Sequence, residues 1–132
     1  MRGTLILCDW ADVVHDKLYI QGAGWVAIPA RQPLSQFAVA TLIEIPYDET
    51  NQPHACWLKL LTEDGEAYPA EQPMKLGFGF EAGRPPGMVA GMSQMMPHAA
   101  KIYGIPFEPG VYTFELSIDD EIVTTATFRA VG

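Results

Sequence analysis

Residues 111–118 read Val111-Tyr112-Thr113-Phe114-Glu115-Leu116-Ser117-Ile118, a stretch in which apolar and polar side chains alternate. A period of two is typical of a β-strand that buries one face and exposes the other. The acidic turn Asp119-Asp120-Glu121 follows, and residues 122–131 return with a similar alternation. These features predict a β-hairpin at the carboxyl-terminal end of the chain.

The same pattern recurs throughout the sequence. It is found in Leu5 to Cys8, Lys17 to Ile20, Phe37 to Ile45, Cys56 to Leu61 and Met74 to Glu81. Turn residues separate these segments, and no segment has the period of an amphipathic helix. The sequence therefore predicts an all-β protein, an antiparallel β-sandwich of about eight strands in which residues 1–132 form one domain. A small β-barrel is the alternative.

Two segments depart from a simple half-buried strand. Residues 35–45, from Ser35 to Ile45, are apolar on both faces until Glu44, which favours a central strand covered on both sides. Between Met74 and Glu81, Gly77 and Gly79 leave one strand face without side chains, so another group can approach the backbone closely.

The longest break in periodicity runs from Ala82 to Gln94 and continues into residues 95–103, which suit either an edge strand or a short helix. Loops of this length without structure of their own are usually functional or mobile. We therefore expect one long irregular loop over residues 82–96.

Composition limits the partners and the compartment. The formal charge of −8 disfavours nucleic acid and anionic membrane surfaces. The first apolar run is too short for a signal peptide, and no segment is long enough to span a membrane. We expect a cytoplasmic protein in which Cys8 and Cys56, both in hydrophobic stretches, remain thiols.

Several motifs together carry a family resemblance. They are Leu5 to Ala11, Lys17 to Ile20 with Gly22 to Trp25, His54 to Leu60, Gly83 to Gly87 and Pro109 to Tyr112. In this order they resemble an uncharacterised family of small bacterial proteins, and the likeness covers nearly the whole chain. The resemblance implies a sandwich-like domain of unknown function, and it supplies no catalytic residues.

Signals for enzymatic chemistry are weak. No Gly-x-Ser-x-Gly motif is present, and Ser35, Ser93 and Ser117 have no neighbouring base in sequence. His54 and Cys56 would share one face of a strand, but a metal site needs further ligands. We expect no cofactor and no catalytic residue, and we keep an enzyme using His54 as the third hypothesis.

Acidic turns provide the second hypothesis, a module that binds calcium or a small ligand. Asp9, Asp12 and Asp16 are close enough in sequence to gather at one end of a sandwich. Calcium prefers six to eight oxygen ligands, many of them carboxylates. These three aspartates are therefore the candidate metal ligands.

The first hypothesis is a non-enzymatic interaction or scaffold module. Four of the six methionines lie between residues 88 and 96, next to two prolines. Methionine adapts to irregular apolar partners, which suits a contact with another protein or with a second copy in a homodimer. The candidate contact residues are Arg84, Pro85, Pro86, Met88, Met92, Met95 and Met96. Alternatively, this loop folds back and caps an open end of the sandwich.

Overall fold

A computed structural model describes residues 1–31 and 36–132. The strands are β1 (Arg2–Val14), β2 (Lys17–Ala23), β3 (Ala27–Pro29), β4 (Gln36–Pro46), β5 (Pro53–Thr62), β6 (Lys75–Glu81), β7 (Ser93–Tyr103), β8 (Gly110–Ile118) and β9 (Glu121–Val131). One short 3-10 helix, Tyr47–Glu49, follows β4. No helix within the described residues has the length and apolar character needed to cross a membrane.

The strands form two sheets. Sheet A has the order β2-β1-β4-β7, and sheet B has the order β3-β9-β8-β5-β6. The predicted all-β sandwich is confirmed, with nine strands in the described residues instead of about eight. The additional strand, β3, is only three residues long and pairs parallel to β9, whereas the other strand pairs are antiparallel.

Two hairpins close with residues in the left-handed region. His15 and Asp16 have φ values of 50° and 60° between β1 and β2, and Asp119 and Asp120 have 51° and 69° between β8 and β9. Turns with two consecutive positive φ angles match the right-handed twist of the strands that they join. Aspartate tolerates this conformation well, which explains the acidic turns of the sequence.

β4 lies inside sheet A and is covered on both faces, as its sequence predicts from Phe37 onward; Ser35 lies outside the described residues. Its inner face packs into the main core between the sheets. Its outer face carries Ala38 and Ala40, both with 0% exposure, in a second cluster with Cys8 and Ala11. Leu18 and Ile20 of β2 pack on this cluster, so the β1–β2 hairpin covers part of the outer face of sheet A.

The main core is rich in aromatic residues. Phe107, Phe114 and Phe128 are fully buried, and the centre of the Phe37 ring lies about 6 Å from the centre of each of their rings. Beside them, the hydroxyl of Tyr112, near the start of β8, donates a 2.6 Å hydrogen bond to the carbonyl of Glu108. Such a contact to the backbone a few residues upstream is the tyrosine corner of Greek-key sandwiches.

The irregular loop is shorter than the sequence predicts. The structure shows a strand from Ser93 onward, so the loop covers residues 82–92 and the expected boundary at residue 96 is wrong. β7 pairs with β4 over eleven residues, from Ser93 opposite Pro46 to Tyr103 opposite Gln36. Backbone pairing with a long neighbouring strand therefore overrides the weak strand signal around Pro97.

Candidate interaction surface

The loop of residues 82–92 is fastened to the segment after β4. Arg84 donates one hydrogen bond to the hydroxyl of Thr50 and another, 2.9 Å long, to the carbonyl of Tyr47. The guanidinium also lies 3.9 Å from the centre of the Tyr47 ring. Arg84 therefore anchors the loop, a role that the sequence did not indicate, and its contact with a partner stays a prediction.

Three large apolar side chains are exposed beyond this anchor. Val89 is 60% exposed, Met92 is 49% exposed and Met95 is 52% exposed. We call these three residues the methionine surface. Pro85 and Pro86 are exposed on the same loop, and Met88 is half-buried. The loop therefore does not fold back to cap the sandwich with all of its apolar side chains.

Local hydrogen bonds give the loop a definite shape. The amide of Met88 donates to the carbonyl of Pro85, and the amide of Met92 donates to the carbonyl of Val89. The Met92 sulfur accepts from the amide of Val89 at 3.4 Å. A shallow groove of about 320 Å³ lies alongside, between the segment 46–48 and residues 90–93. The methionine surface is thus presented by a folded loop and by the first residues of a strand.

Met96 does not belong to this surface. Successive residues of a strand point to opposite faces, so Met96 points inward when Met95 points outward. Met96 packs against the main core. The strand that begins at Ser93 therefore turns Met96 away from the exposed side of Met95, and a role of Met96 in partner contact stays an untested prediction.

β7 lies at the edge of sheet A. Its only strand partner in the described parts of the chain is β4, so its second edge has no strand beside it. An unpaired edge presents backbone N–H and C=O groups that an extended chain can pair with. Pro97 removes one donor from the middle of the strand.

His54 is held on both sides by protein groups. Its Nδ1 donates to Oδ2 of Asp119 at 2.6 Å, and its Nε2 donates to the carbonyl of Glu49 at 2.8 Å. Burial lowers the pKa of His54, but the two hydrogen bonds and the charges of Asp119 and Glu49 outweigh burial and raise it. Both partners present acceptor oxygens to the ring, an arrangement that favours the doubly protonated imidazole. Both ring nitrogens of His54 are thus engaged by groups of the protein itself.

Cys56 lies on the same buried face two residues further along β5, as its spacing predicts. Burial, together with the charge of Asp119, raises the pKa of its thiol to about 11. Cys8 is also a buried free thiol, and burial raises its pKa. A raised pKa leaves little thiolate at neutral pH, so neither cysteine has the character of a nucleophile.

The structure places the three candidate aspartates at different positions of the β1–β2 hairpin. Asp9 lies on β1 beside Gly22, Asp12 lies 3.7 Å from the amine of Lys101, and Asp16 lies in the β1–β2 turn. In residues 1–31 and 36–132, no group of three or more His, Cys, Asp or Glu side chains is placed to hold a metal ion. This finding does not support the expectation that the three aspartates gather as metal ligands: Asp9 and Asp12 lie within β1, which continues to Val14, and Asp16 lies in the turn that follows.

Two contacts, one at the anchor of the loop and one between β6 and β7, have no local signal in the sequence. The anchor of Arg84 depends on Tyr47 and Thr50, more than 30 residues away in the chain. The ring of His98 stacks on Phe78 with centroids 4.0 Å apart, and its buried Nδ1 has no hydrogen-bond partner among the described residues. Both contacts arise only when separate strands and loops meet.

Comparisons with known proteins bear on the family. Neither a search of curated proteins nor a search of solved structures found a match. The model of one protein family matches residues 3–131 of the 132-residue chain, which agrees with the resemblance read from the sequence motifs. The chain therefore belongs to a family of unknown function, DUF6941.

Proposed function

We propose that this protein is a non-enzymatic binding module that contacts another protein through the methionine surface. The observation that carries this proposal is the exposure of Val89 and Met92, on a loop that Arg84 holds in place, and of Met95 at the start of β7. A loop that is anchored on one side and apolar on the other is ready to bind without a large ordering cost.

The chemistry of the surface indicates the kind of partner. Methionine side chains are flexible and polarisable, so they pack against apolar groups of varied shape. The unpaired edge of β7 adjoins Met95 and can accept an extended segment. The occupant that we propose is an extended, apolar segment of a partner protein.

Other properties support a binding role over a catalytic one. Both nitrogens of His54 are occupied by Asp119 and Glu49, and the two cysteines are buried thiols with raised pKa values. Free thiols suit a reducing compartment, so we propose the cytoplasm as the location. The acidic charge of −8 disfavours polyanionic partners.

A matched set of variants tests the proposal. Three forms of the full chain are immobilised on a resin and incubated with a lysate of the source cells. They are the wild type, the double variant Met92→Asp with Met95→Asp, and the single variant Ile122→Asp. Ile122 is 63% exposed but lies on β9, so its replacement controls for loss of exposed apolar surface. We expect a partner that the wild type and Ile122→Asp retain at equal levels and that the double variant loses. Equal retention by all three proteins, or by none, would contradict the proposal.

A further inference from the structure

We propose that β6 pairs edge to edge with β6 of a second copy of this chain, forming a twofold-symmetric homodimer with one continuous sheet. The strand reads Lys75-Leu76-Gly77-Phe78-Gly79-Phe80-Glu81 and lies at the edge of sheet B. β5 is its only strand partner among the described residues. This inference uses a different sheet from the methionine surface and is independent of it.

The sequence of β6 is self-complementary when it is paired antiparallel with itself. With Phe78 on the twofold axis, Lys75 lies opposite Glu81 of the second copy, and Gly77 lies opposite Gly79. Leu76 then lies opposite Phe80. Charge meets opposite charge, glycine meets glycine and apolar meets apolar at every position, which is the requirement for an isologous contact.

The backbone direction agrees with this register. The amide of Leu60 on β5 donates to the carbonyl of Met74, just before β6 begins. Because the N–H and C=O groups of alternate residues point to opposite sides of a strand, Lys75, Gly77, Gly79 and Glu81 direct theirs to the free edge. In the proposed register these same residues oppose one another, so each pair exchanges two hydrogen bonds. Phe78 forms the close, non-hydrogen-bonded pair on the axis.

Among the described residues, the charges at the two ends of β6 have no acidic or basic partner, and the Lys75 amine lies 4.3 Å from the centre of the Trp57 ring. Neither Lys75 nor Glu81 forms an ion pair with a described residue. Lys75 lies directly opposite Lys59 on β5, a like-charge arrangement that destabilises a sheet. Glu81 of a second copy would place a carboxylate beside Lys75 and relieve this arrangement.

The side chains of β6 also favour a covered edge. Leu76, Phe78 and Phe80 point towards the core but remain half-exposed at the edge. Proline and inward-pointing charges are two devices that protect an edge strand from pairing. β6 has neither, because it contains no proline and its two charged residues lie at its ends. A second β6 would cover these apolar side chains with apolar ones, Leu76 with Phe80 and Phe78 with Phe78.

Charge reversal provides the test. The dimer dissociation constant is measured by analytical ultracentrifugation for the wild type, Glu81→Lys, and Lys75→Glu combined with Glu81→Lys. We expect Glu81→Lys to raise the dissociation constant about tenfold or more, because two attractive pairs become repulsive, and we expect the double variant to restore dimerisation. Glu63→Lys, in an exposed turn, makes the same charge change away from the edge and leaves the dimer unchanged.

A backbone variant tests the hydrogen bonds. Gly79→Pro removes an N–H that points to the free edge, and a Cβ atom at this position meets only the His54 carbonyl, at 3.5 Å. We expect a folded monomer, with the fold verified by circular dichroism. A wild type that stays monomeric at high micromolar concentration would overturn the proposal. A dimer unaffected by Glu81→Lys and Gly79→Pro would do the same, and so would a double variant that does not recover.

Discussion

The imidazole of His54 and the carboxylate of Asp119 form a 2.6 Å hydrogen bond that joins the start of β5 to the turn between β8 and β9. Asp119 also accepts a hydrogen bond from the amide of Ala55 through its other oxygen, 3.0 Å away. The bond to His54 and the bond from Ala55 both lower the pKa of Asp119. This pair therefore holds three strands of sheet B in place at one end.

The His54–Asp119 pair predicts a pH-dependent stability. The pKa of His54 is raised above 6.5, so its stabilisation is complete below pH 6.5 and is lost as the pH rises through the folded-state pKa. The pKa of Asp119 is lowered below 3.8, so its contribution is complete above pH 3.8 and is lost as the pH falls through the folded-state value. The pair should stabilise the protein most between these limits.

Urea unfolding of the wild type and of Asp119→Asn across this pH range measures the effect. Asn tolerates the positive φ of position 119, and Asp120→Asn changes the neighbouring turn residue as a control. The stability difference between the wild type and Asp119→Asn should shrink as the pH rises above 6.5. A difference that does not change with pH would contradict the assigned protonation.

His98 predicts the opposite pH dependence. Burial lowers its pKa below 6.5, so its neutral form stabilises the fold above that pH, and this stability declines as the pH falls. His98→Phe keeps an aromatic ring against Phe78 and removes the unpartnered Nδ1. We expect this variant to melt at the same temperature as the wild type or higher at neutral pH, and clearly higher under mildly acidic conditions. A difference in melting temperature between the two proteins that stays constant at every pH would show that His98 does not titrate as proposed.

The tyrosine corner predicts a local loss of stability. Tyr112→Phe removes the hydroxyl that donates to the Glu108 carbonyl and keeps the ring packed on Phe107. The expected cost is about 1 kcal/mol in the free energy of unfolding, as for a typical intramolecular hydrogen bond. Tyr103→Phe, at an exposed position of β7, is the control and should leave the denaturation midpoint unchanged. Equal midpoints for both variants would argue against a structural role for the corner.

The second cluster, on the outer face of sheet A, predicts that its alanines cannot be replaced by larger residues without a loss of stability. Ala40 is completely buried beneath the β1–β2 hairpin, so a larger side chain has no space. Ala40→Leu should cost about 1–3 kcal/mol through overpacking or should displace the hairpin. Ala55→Leu, at an exposed position on β5, provides the matched control. If both variants unfold at the same denaturant concentration, the hairpin does not cover sheet A in solution.

Periodicity predicts most of the strands because it reflects burial, which is a local property of each segment. The two apolar faces of residues 37–43 correctly indicate a strand covered on both sides. The three-residue strand β3 could not be predicted, since its only support is pairing with β9, about 100 residues later. The packing of the β1–β2 hairpin on sheet A could not be predicted either. Ala38 and Ala40 indicate a covered strand face, but they do not indicate which segment covers that face.

At the candidate site, too, local features could be predicted from the sequence and long-range contacts could not. The apolar composition of residues 88–95 is visible in the sequence, and Val89, Met92 and Met95 of this segment are exposed in the structure. It does not separate Met95 from Met96, since that distinction depends on where β7 begins. The roles of Arg84 and His54 depend on Tyr47, Thr50, Glu49 and Asp119, which lie elsewhere in the chain or act through backbone carbonyls. Long-range contacts of this kind leave no periodic pattern.

The most direct test of the proposed binding role is methionine oxidation of the full chain by peroxide, read out by mass spectrometry. Met92 and Met95 are exposed, so both should oxidise rapidly in the purified protein, whereas the half-buried Met96 serves as an internal reference. In the complex isolated from cells, we expect Met92 and Met95 to be protected from oxidation relative to Met96. Equal oxidation of these two methionines in the free protein and in the complex would contradict it.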